Sequence, residues 1–173
     1  VPTDSLLLVI RFAVILENAN HPPSKQPRFG YEISSSGNTL QGCISEQIVA
    51  GDSNFVFFTN GNYEILNWQT RIINLEGLQG INVNVHFETG DCEPGGHFGY
   101  AYVDGELLDA KITYGNCKPD GSLTLYGPSG LDCLWFNGET GDSTVVENPV
   151  TGGVCTLELL PESGCDITLN NIV

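Results

Sequence analysis

The stretch Gly90-Asp91-Cys92-Glu93-Pro94-Gly95-Gly96-His97-Phe98-Gly99-Tyr100-Ala101-Tyr102-Val103-Asp104 passes from a turn into a strand. Its first half is rich in aspartate, proline and glycine, the residue types that let a chain reverse direction. After this turn, small and aromatic side chains alternate, so they lie on opposite faces of a strand. One face carries His97, Gly99, Ala101 and Val103, and the other carries Phe98, Tyr100, Tyr102 and Asp104. The stretch therefore predicts the central strand of a β-sandwich, with another layer close to its small-residue face.

The rest of the chain has the same character. Its 173 residues include 21 Gly and 9 Pro, and short alternating runs rich in Val, Ile, Thr and aromatic residues recur between turns. This pattern is typical of all-β proteins. A hydrophobic content of 40% is enough to build a core. Strands are predicted at 5–17, 28–34, 40–50, 54–59, 68–75, 81–87, 97–104 and 107–114, and the long apolar run at 5–17 predicts a strand covered on both faces.

A change of composition at 115–121 predicts a domain boundary. The last part of the chain contains five short predicted strands, at 122–126, 131–136, 143–147, 154–160 and 167–172, separated by glycine-containing turns. This spacing is typical of a small Ig-like sandwich. We therefore predict a jelly-roll-like β-sandwich at 1–116, followed by a disulfide-stapled Ig-like β-sandwich at 117–173.

The charge of the chain limits its partners. Six Lys and Arg residues stand against 21 Asp and Glu residues, which gives a net charge of −15. A phosphate backbone or an anionic membrane surface would be repelled, whereas a secreted protein or one that meets divalent cations fits this balance. No apolar run is long enough to cross a bilayer, so direct membrane insertion is not expected. We expect an extracellular protein, processed or cut from a longer one.

Six cysteines without a CxxC pair predict disulfides rather than a zinc motif. Fifteen pairings are possible, and keeping each bridge within one predicted domain favours Cys43–Cys92, Cys117–Cys165 and Cys133–Cys155. The alternative is that some of the six are free buried thiols. The three histidines are scattered along the chain, and a structural role for His97 is favoured over a functional one.

A resemblance to a known family rests on several segments together. These are Asp91-Cys92 with the following GGHFGYAYVD, the run at 12–17, His21, the run at 26–29, the segment at 68–80, and the tail motifs at 134–140, 148–149 and 163–165. Together they resemble a module, followed by an Ig-like or PKD-type repeat, of large cell-surface and gliding-motility-associated proteins of Bacteroidota that are exported by the type IX system. Cys133 and Cys155 depart from the pattern of that repeat. The module's first strands, expected before Val1, are absent, which predicts an open sheet edge that a partner strand can fill.

This resemblance implies surface display and an adhesin or surface-filament role, without a catalytic site. No G-x-S-x-G, H-E-x-x-H or P-loop motif points to an enzyme. The resemblance also implies a structural Ca²⁺ held by Glu17 and Asp104, because jelly-roll modules often bind one and carboxylates suit that ion. The alternative is that these carboxylates bond loop amides or pair with Arg28.

Two functions from different classes are expected. In the first, Trp68, Tyr100 and Tyr102 form a platform that binds glycans or another surface polymer. In the second, both domains are structural spacers that contact neighbouring subunits or repeats. A further alternative is an accessory domain of a secreted glycan-active enzyme. A single Trp or Tyr in a sandwich is more often part of the core. An exposed aromatic platform would therefore favour binding, and its burial would favour a scaffold.

Overall fold

The computed structural model describes residues 7–36, 40, 43–160 and 167–172, and it is all-β, as the sequence predicts. Its strands are β1 (Leu7–Glu17), β2 (Arg28–Ser35), β3 (Ser45–Val49), β4 (Phe58–Asn60), β5 (Tyr63–Asn74), β6 (Val83–Gly90), β7 (Gly99–Leu108), β8 (Thr113–Tyr114), β9 (Leu123–Tyr126), β10 (Cys133–Trp135), β11 (Ser143–Val146), β12 (Val154–Leu159) and β13 (Ile167–Ile172). A 3₁₀ turn at Pro23–Lys25 separates β1 from β2. In the described part of the chain, no helix has the length and hydrophobicity of a membrane span.

Two antiparallel sheets form the first sandwich. One has the strand order β4-β5-β1-β7 and the other has the order β3-β2-β6. Their facing sides share a core of buried residues: Ile10, Phe12, Val14, Leu16, Phe29, Tyr31, Ile33, Ile48, Leu66 and Ile73. Strands β1 and β2 supply every second residue to this core, because side chains alternate across a pleated sheet. The structure is therefore consistent with the predicted β-sandwich.

The central strand is β1, and the prediction that the stretch at 97–104 forms the centre of the sheet is wrong. Among the described residues, β7 is the edge strand of its sheet, whereas β1 pairs with β5 on one side and β7 on the other. The sequence of β1 explains why it is the central strand. Its even-numbered residues face the first core, and Leu7 and Val9 on the opposite face enter a second core. A strand that is apolar on both faces is stable only where both are covered.

The second core belongs to two three-stranded sheets, with the orders β11-β9-β8 and β10-β12-β13. Trp135 is its largest side chain, and the first sandwich contributes Leu7, Val9 and Ile72 to the same cluster. Strand β8, which precedes the predicted boundary at 116/117, pairs with β9 beyond it. Strand β8 and the shared core therefore join the two sandwiches across the predicted boundary.

The predicted disulfides are not formed in the structure. Cys92, Cys117, Cys133 and Cys155 are free thiols, and Cys165 lies outside the described residues. The register of β10 and β12 explains why Cys133 and Cys155 do not meet, because Cys133 pairs with Leu159, four positions along the strand from Cys155. Four residues of strand span about 13 Å, and a disulfide needs Cα atoms about 4.4–6.8 Å apart.

The burial of Cys133 predicts sensitivity to alkali. Burial, with Asp132 and Asp142 adding to its effect, raises the pKa of the Cys133 thiol from 9.0 to about 11. The native state therefore keeps this proton between pH 9 and 11 while the unfolded state loses it. We expect the free energy of unfolding to fall by about 1 kcal/mol between pH 9 and 10.

Urea unfolding at both pH values, under a reducing agent, measures this fall. Cys133→Ala should flatten it, although a smaller fall persists because burial also raises the pKa of Cys155. Cys117→Ala, at an exposed free thiol, is the matched control and should keep the full fall. An identical pH dependence of the free energy of unfolding in wild type and Cys133→Ala would show that the Cys133 thiol does not cause the fall.

Candidate functional site

A row of four aromatic rings crosses the outer face of the first sandwich. The ring centroids of Tyr63 and Phe98 are 5.8 Å apart, those of Phe98 and Tyr100 are 5.8 Å apart, and those of Tyr100 and Tyr102 are 6.0 Å apart. All four side chains are exposed, and Tyr102 keeps 59% of its surface accessible. These distances are typical of interacting aromatic pairs, so the rings form one continuous surface, which we call the aromatic row.

The alternation in β7 produces this row. Gly99 is buried, and a Cβ atom at its position would lie only 2.8 Å from Leu16 Cδ2. Glycine therefore lets β7 lie close against the core, while its neighbours Phe98 and Tyr100 point outward. Across the ladder, Tyr100 lies opposite Ile15 and Tyr102 lies opposite the small Ala13. The aromatic face predicted from the sequence of this strand is confirmed.

Trp68 lies in the same sheet, two strands away from β7. The ladder between β1 and β5 shifts register between Phe12 and Val14, and Asn67 and Trp68 occupy the bulge opposite Ala13. Trp68 is 53% exposed, and within the described chain no ring contact joins it to the aromatic row. Bulges often re-aim a side chain beside a functional surface. Two of the three residues predicted for ligand binding, Tyr100 and Tyr102, thus lie in the row, and the third is an exposed Trp in the same sheet.

Charged groups border the row at the Tyr102 end. Arg11 Nη1 lies 2.5 Å from Glu106 Oε1 and 3.9 Å from Asp104 Oδ2. The Arg11 side chain is partly buried, whereas the side chains of Asp104 and Glu106 are more exposed. These groups can donate and accept hydrogen bonds next to the rings.

The two residues predicted to hold Ca²⁺ lie apart. Asp104 pairs with Arg11 in the ladder, while the backbone nitrogen of Glu17 donates to Phe98 O at the other end of β1. Six residues of strand separate these positions, which corresponds to about 20 Å. The structure therefore does not bring Glu17 and Asp104 together around one ion. The cation beside Asp104 is Arg11, not Arg28.

A second cluster lies in the loops at one end of the first sandwich. It contains His21, Cys92 and His97, whose potential metal-ligating atoms all lie within 4.8 Å of one another. Cys92 Sγ is 3.3 Å from His97 Nδ1, and the two imidazole rings meet edge to face with centroids 5.6 Å apart. Cys92 is buried and both histidines are half-buried. We call these three residues the His–Cys cluster.

The loop that leads from β6 in one sheet to β7 in the other fixes two members of the cluster. The backbone nitrogen of Cys92 donates to His97 O at 3.0 Å, and that of Gly95 donates to Cys92 O at 2.9 Å. Gly95 and Gly96 have φ angles of 80° and 97°, a region that glycine adopts without strain. The glycine pair thus reverses the chain sharply and brings Cys92 and His97 face to face.

Hydrogen bonds hold the loop that carries His21. The buried Gln26 donates from Nε2 to Asn18 Oδ1 at 2.8 Å and accepts from the backbone nitrogen of Ala19 at 3.1 Å. The two loops are also joined directly, because the backbone nitrogen of Glu93 donates to Lys25 O at 3.2 Å. The three side chains are therefore positioned by two loops that hydrogen bonds hold in place and join to each other.

Sequence reasoning missed this cluster. It treated His21 and His97 as unrelated and paired Cys92 with Cys43, whereas the Cys92 thiol is free and faces His97. One signal was available, since Cys92 and His97 flank a turn with two glycines and must lie across a narrow loop from each other. The approach of His21 depends on the path of a separate loop and had no such signal.

Comparison with known proteins found no matching family model, no matching curated protein and no matching solved structure.

Proposed function

We propose that this chain is a non-enzymatic, extracellular glycan-binding module that serves adhesion at a cell surface. The single observation that carries this proposal is the exposed aromatic row Tyr63, Phe98, Tyr100 and Tyr102, with Trp68 exposed in the same sheet. Contiguous exposed apolar patches are uncommon on soluble proteins and mark interaction sites. The sequence resemblance to surface-displayed Bacteroidota modules supports the same role.

A pyranose has an apolar C–H face and a polar rim of hydroxyl groups, and the aromatic row with its flanking charged residues offers a partner for each. The apolar C–H face of a pyranose would stack on Tyr100, and Tyr102, whose ring is turned 78° from that of Tyr100, would contact the edge of the sugar. Arg11, Asp104 and Glu106 offer hydrogen-bonding groups for hydroxyls at the end of the row. The net charge of −15 would repel an acidic polysaccharide. The expected ligand is therefore a neutral glycan, and binding should depend little on salt.

The test is a glycan array followed by calorimetry with the full chain, because the two sandwiches share a core. Tyr100→Ala and Tyr102→Ala should each weaken binding about tenfold or more, which corresponds to about 1.4 kcal/mol, and Trp68→Ala should weaken it where the ligand extends across the sheet. Tyr114→Ala, at an exposed tyrosine in β8 of the second unit, is the matched control and should bind like wild type. Binding that survives both Tyr100→Ala and Tyr102→Ala, or a folded protein that binds no glycan, would contradict the proposal.

A specific observation favours assembly as the second candidate function. Within the described chain, β6 and β7 are edge strands of the two facing sheets, and an apolar groove of about 440 Å³ lies between them. Its lining includes Leu8, Val85, Phe87 and Val103. Val85 and Phe87 remain partly exposed because this side of the sandwich is open. A strand from a neighbouring repeat or subunit could pair with either edge.

Sedimentation of the full chain over a range of concentrations tests self-assembly at this groove. Association that Val85→Lys abolishes, and that Tyr100→Ala leaves unchanged, would support assembly. A monomer at every concentration would leave glycan binding as the supported function.

A further inference from the structure

We propose that His21, Cys92 and His97 form a zinc-binding site at the loop end of the first sandwich. The cluster offers one thiol and two imidazoles within 4.8 Å. An independent observation points to a ligand: His21 Nε2 is buried and has no hydrogen-bond partner in the part of the chain that the structure describes. A buried polar atom without a partner costs free energy, and a metal ion would satisfy it.

The donor set selects the metal. Thiolate and imidazole are the ligands of Zn²⁺, whereas Ca²⁺ and Mg²⁺ require oxygen ligands. A blue-copper site also uses two histidines and one cysteine, but it usually adds an axial methionine, and this chain contains no Met. Zinc with these three protein ligands and a water molecule in the fourth position fits the residues present.

The geometry is close to that of a zinc complex. Zinc bonds of about 2.3 Å to sulfur and about 2.1 Å to nitrogen, arranged tetrahedrally, place the sulfur and nitrogen atoms about 3.6 Å apart. The observed distance from Cys92 Sγ to His97 Nδ1 is 3.3 Å. With all ligating atoms within 4.8 Å, side-chain adjustments of about 1–1.5 Å close the remaining gaps. Zn²⁺ binding forms a Zn–S bond and releases the Cys92 thiol proton to solvent.

Zinc at this place would tie two loops together. His21 comes from the connection between β1 and β2, and the other two ligands come from the loop that connects β6 to β7. His97 directly precedes Phe98 of the aromatic row, so the ion would also hold the backbone next to that ring. Because the ligands are assembled only in the folded chain, bound zinc should raise the thermal unfolding temperature.

The first test uses the full wild-type chain, reduced and free of metal, and titrates it with Co²⁺ as a spectroscopic substitute for Zn²⁺. We expect a charge-transfer band from cobalt–thiolate bonding that saturates at one equivalent and disappears when Zn²⁺ is added. A cobalt spectrum without a thiolate band, or the absence of saturable binding, would overturn the proposal without the use of any variant.

Variants then identify the ligands. Cys92→Ser should remove the thiolate band, and His21→Ala and His97→Ala should each weaken Zn²⁺ binding at least about 100-fold, as loss of a ligand exceeds the 10–100-fold effect of losing a residue that only orients one. His86→Ala and Cys117→Ser are matched controls, because both residues are exposed and lie outside the cluster. Circular dichroism without metal checks that each variant folds. Binding that requires Cys117 or His86 instead of the cluster would overturn the assignment.

Discussion

Glu46→Ala is expected to lower the free energy of unfolding by about 3–5 kcal/mol, because it leaves the buried charge of Arg71 without its carboxylate counter-ion. The Arg71 side chain is 0% exposed, and its Nε and Nη2 atoms each donate to a different carboxylate oxygen of Glu46 at 2.9 Å. The guanidinium also lies 5.1 Å from the centroid of the Phe12 ring. An arginine does not lose its proton in a protein, so it cannot escape the cost by becoming neutral.

A double-mutant cycle separates the coupling energy between Glu46 and Arg71 from the effect of losing each residue alone. Arg71→Met should cost less than Glu46→Ala, because the remaining Glu46 keeps 22% of its side chain accessible to water. Adding Arg71→Met to Glu46→Ala should recover much of the loss. Urea unfolding measures all four proteins, and Glu88→Ala, which removes an exposed partner of Arg28 at 3.9 Å, is the matched control with an expected cost below about 1 kcal/mol. A Glu46→Ala variant no less stable than Glu88→Ala would contradict this account.

The strand pattern of the fold was predictable from the sequence because each strand's periodicity is local. The run at 28–34 became β2, Arg28–Ser35, and the last predicted strand at 167–172 became β13, Ile167–Ile172. The order in which the strands pair within each sheet was not predictable, because it depends on contacts between distant segments. Arg71 shows the limit, since the sequence around this arginine gives no sign of a partner 25 residues earlier in the chain.

In the candidate sites too, features that are local in the sequence were predictable, and features that depend on contacts between distant segments were not. The outward direction of Tyr100 and Tyr102 follows from alternation within one strand, and the sequence predicted it. The separation of Glu17 from Asp104 follows from the ladder register between β1 and β7, which the sequence of neither strand reveals. The His–Cys cluster required the approach of two loops, which only the folded chain brings together.

Ile72→Ala is expected to destabilise both sandwiches, by about 2–5 kcal/mol in total. Ile72 lies in the second core although its strand, β5, belongs to the first sandwich. Its neighbour Ile73 lies in the first core, and both are nearly fully buried. Because β1 and β5 line both cores, loss of packing in either core weakens strands that the other core needs, and the chain should unfold in one cooperative transition.

Hydrogen exchange followed by mass spectrometry distinguishes shared from separate stability, because it reports each strand on its own. In both Ile72→Ala and the matched variant Ile73→Ala, exchange should become faster in β2 of the first sandwich and in β12 of the second. The single transition should shift equally when followed by far-UV circular dichroism and by Trp135 fluorescence in a Trp68→Phe background. Faster exchange in β12 alone for Ile72→Ala, and in β2 alone for Ile73→Ala, would show that the two sandwiches unfold independently despite their shared strands.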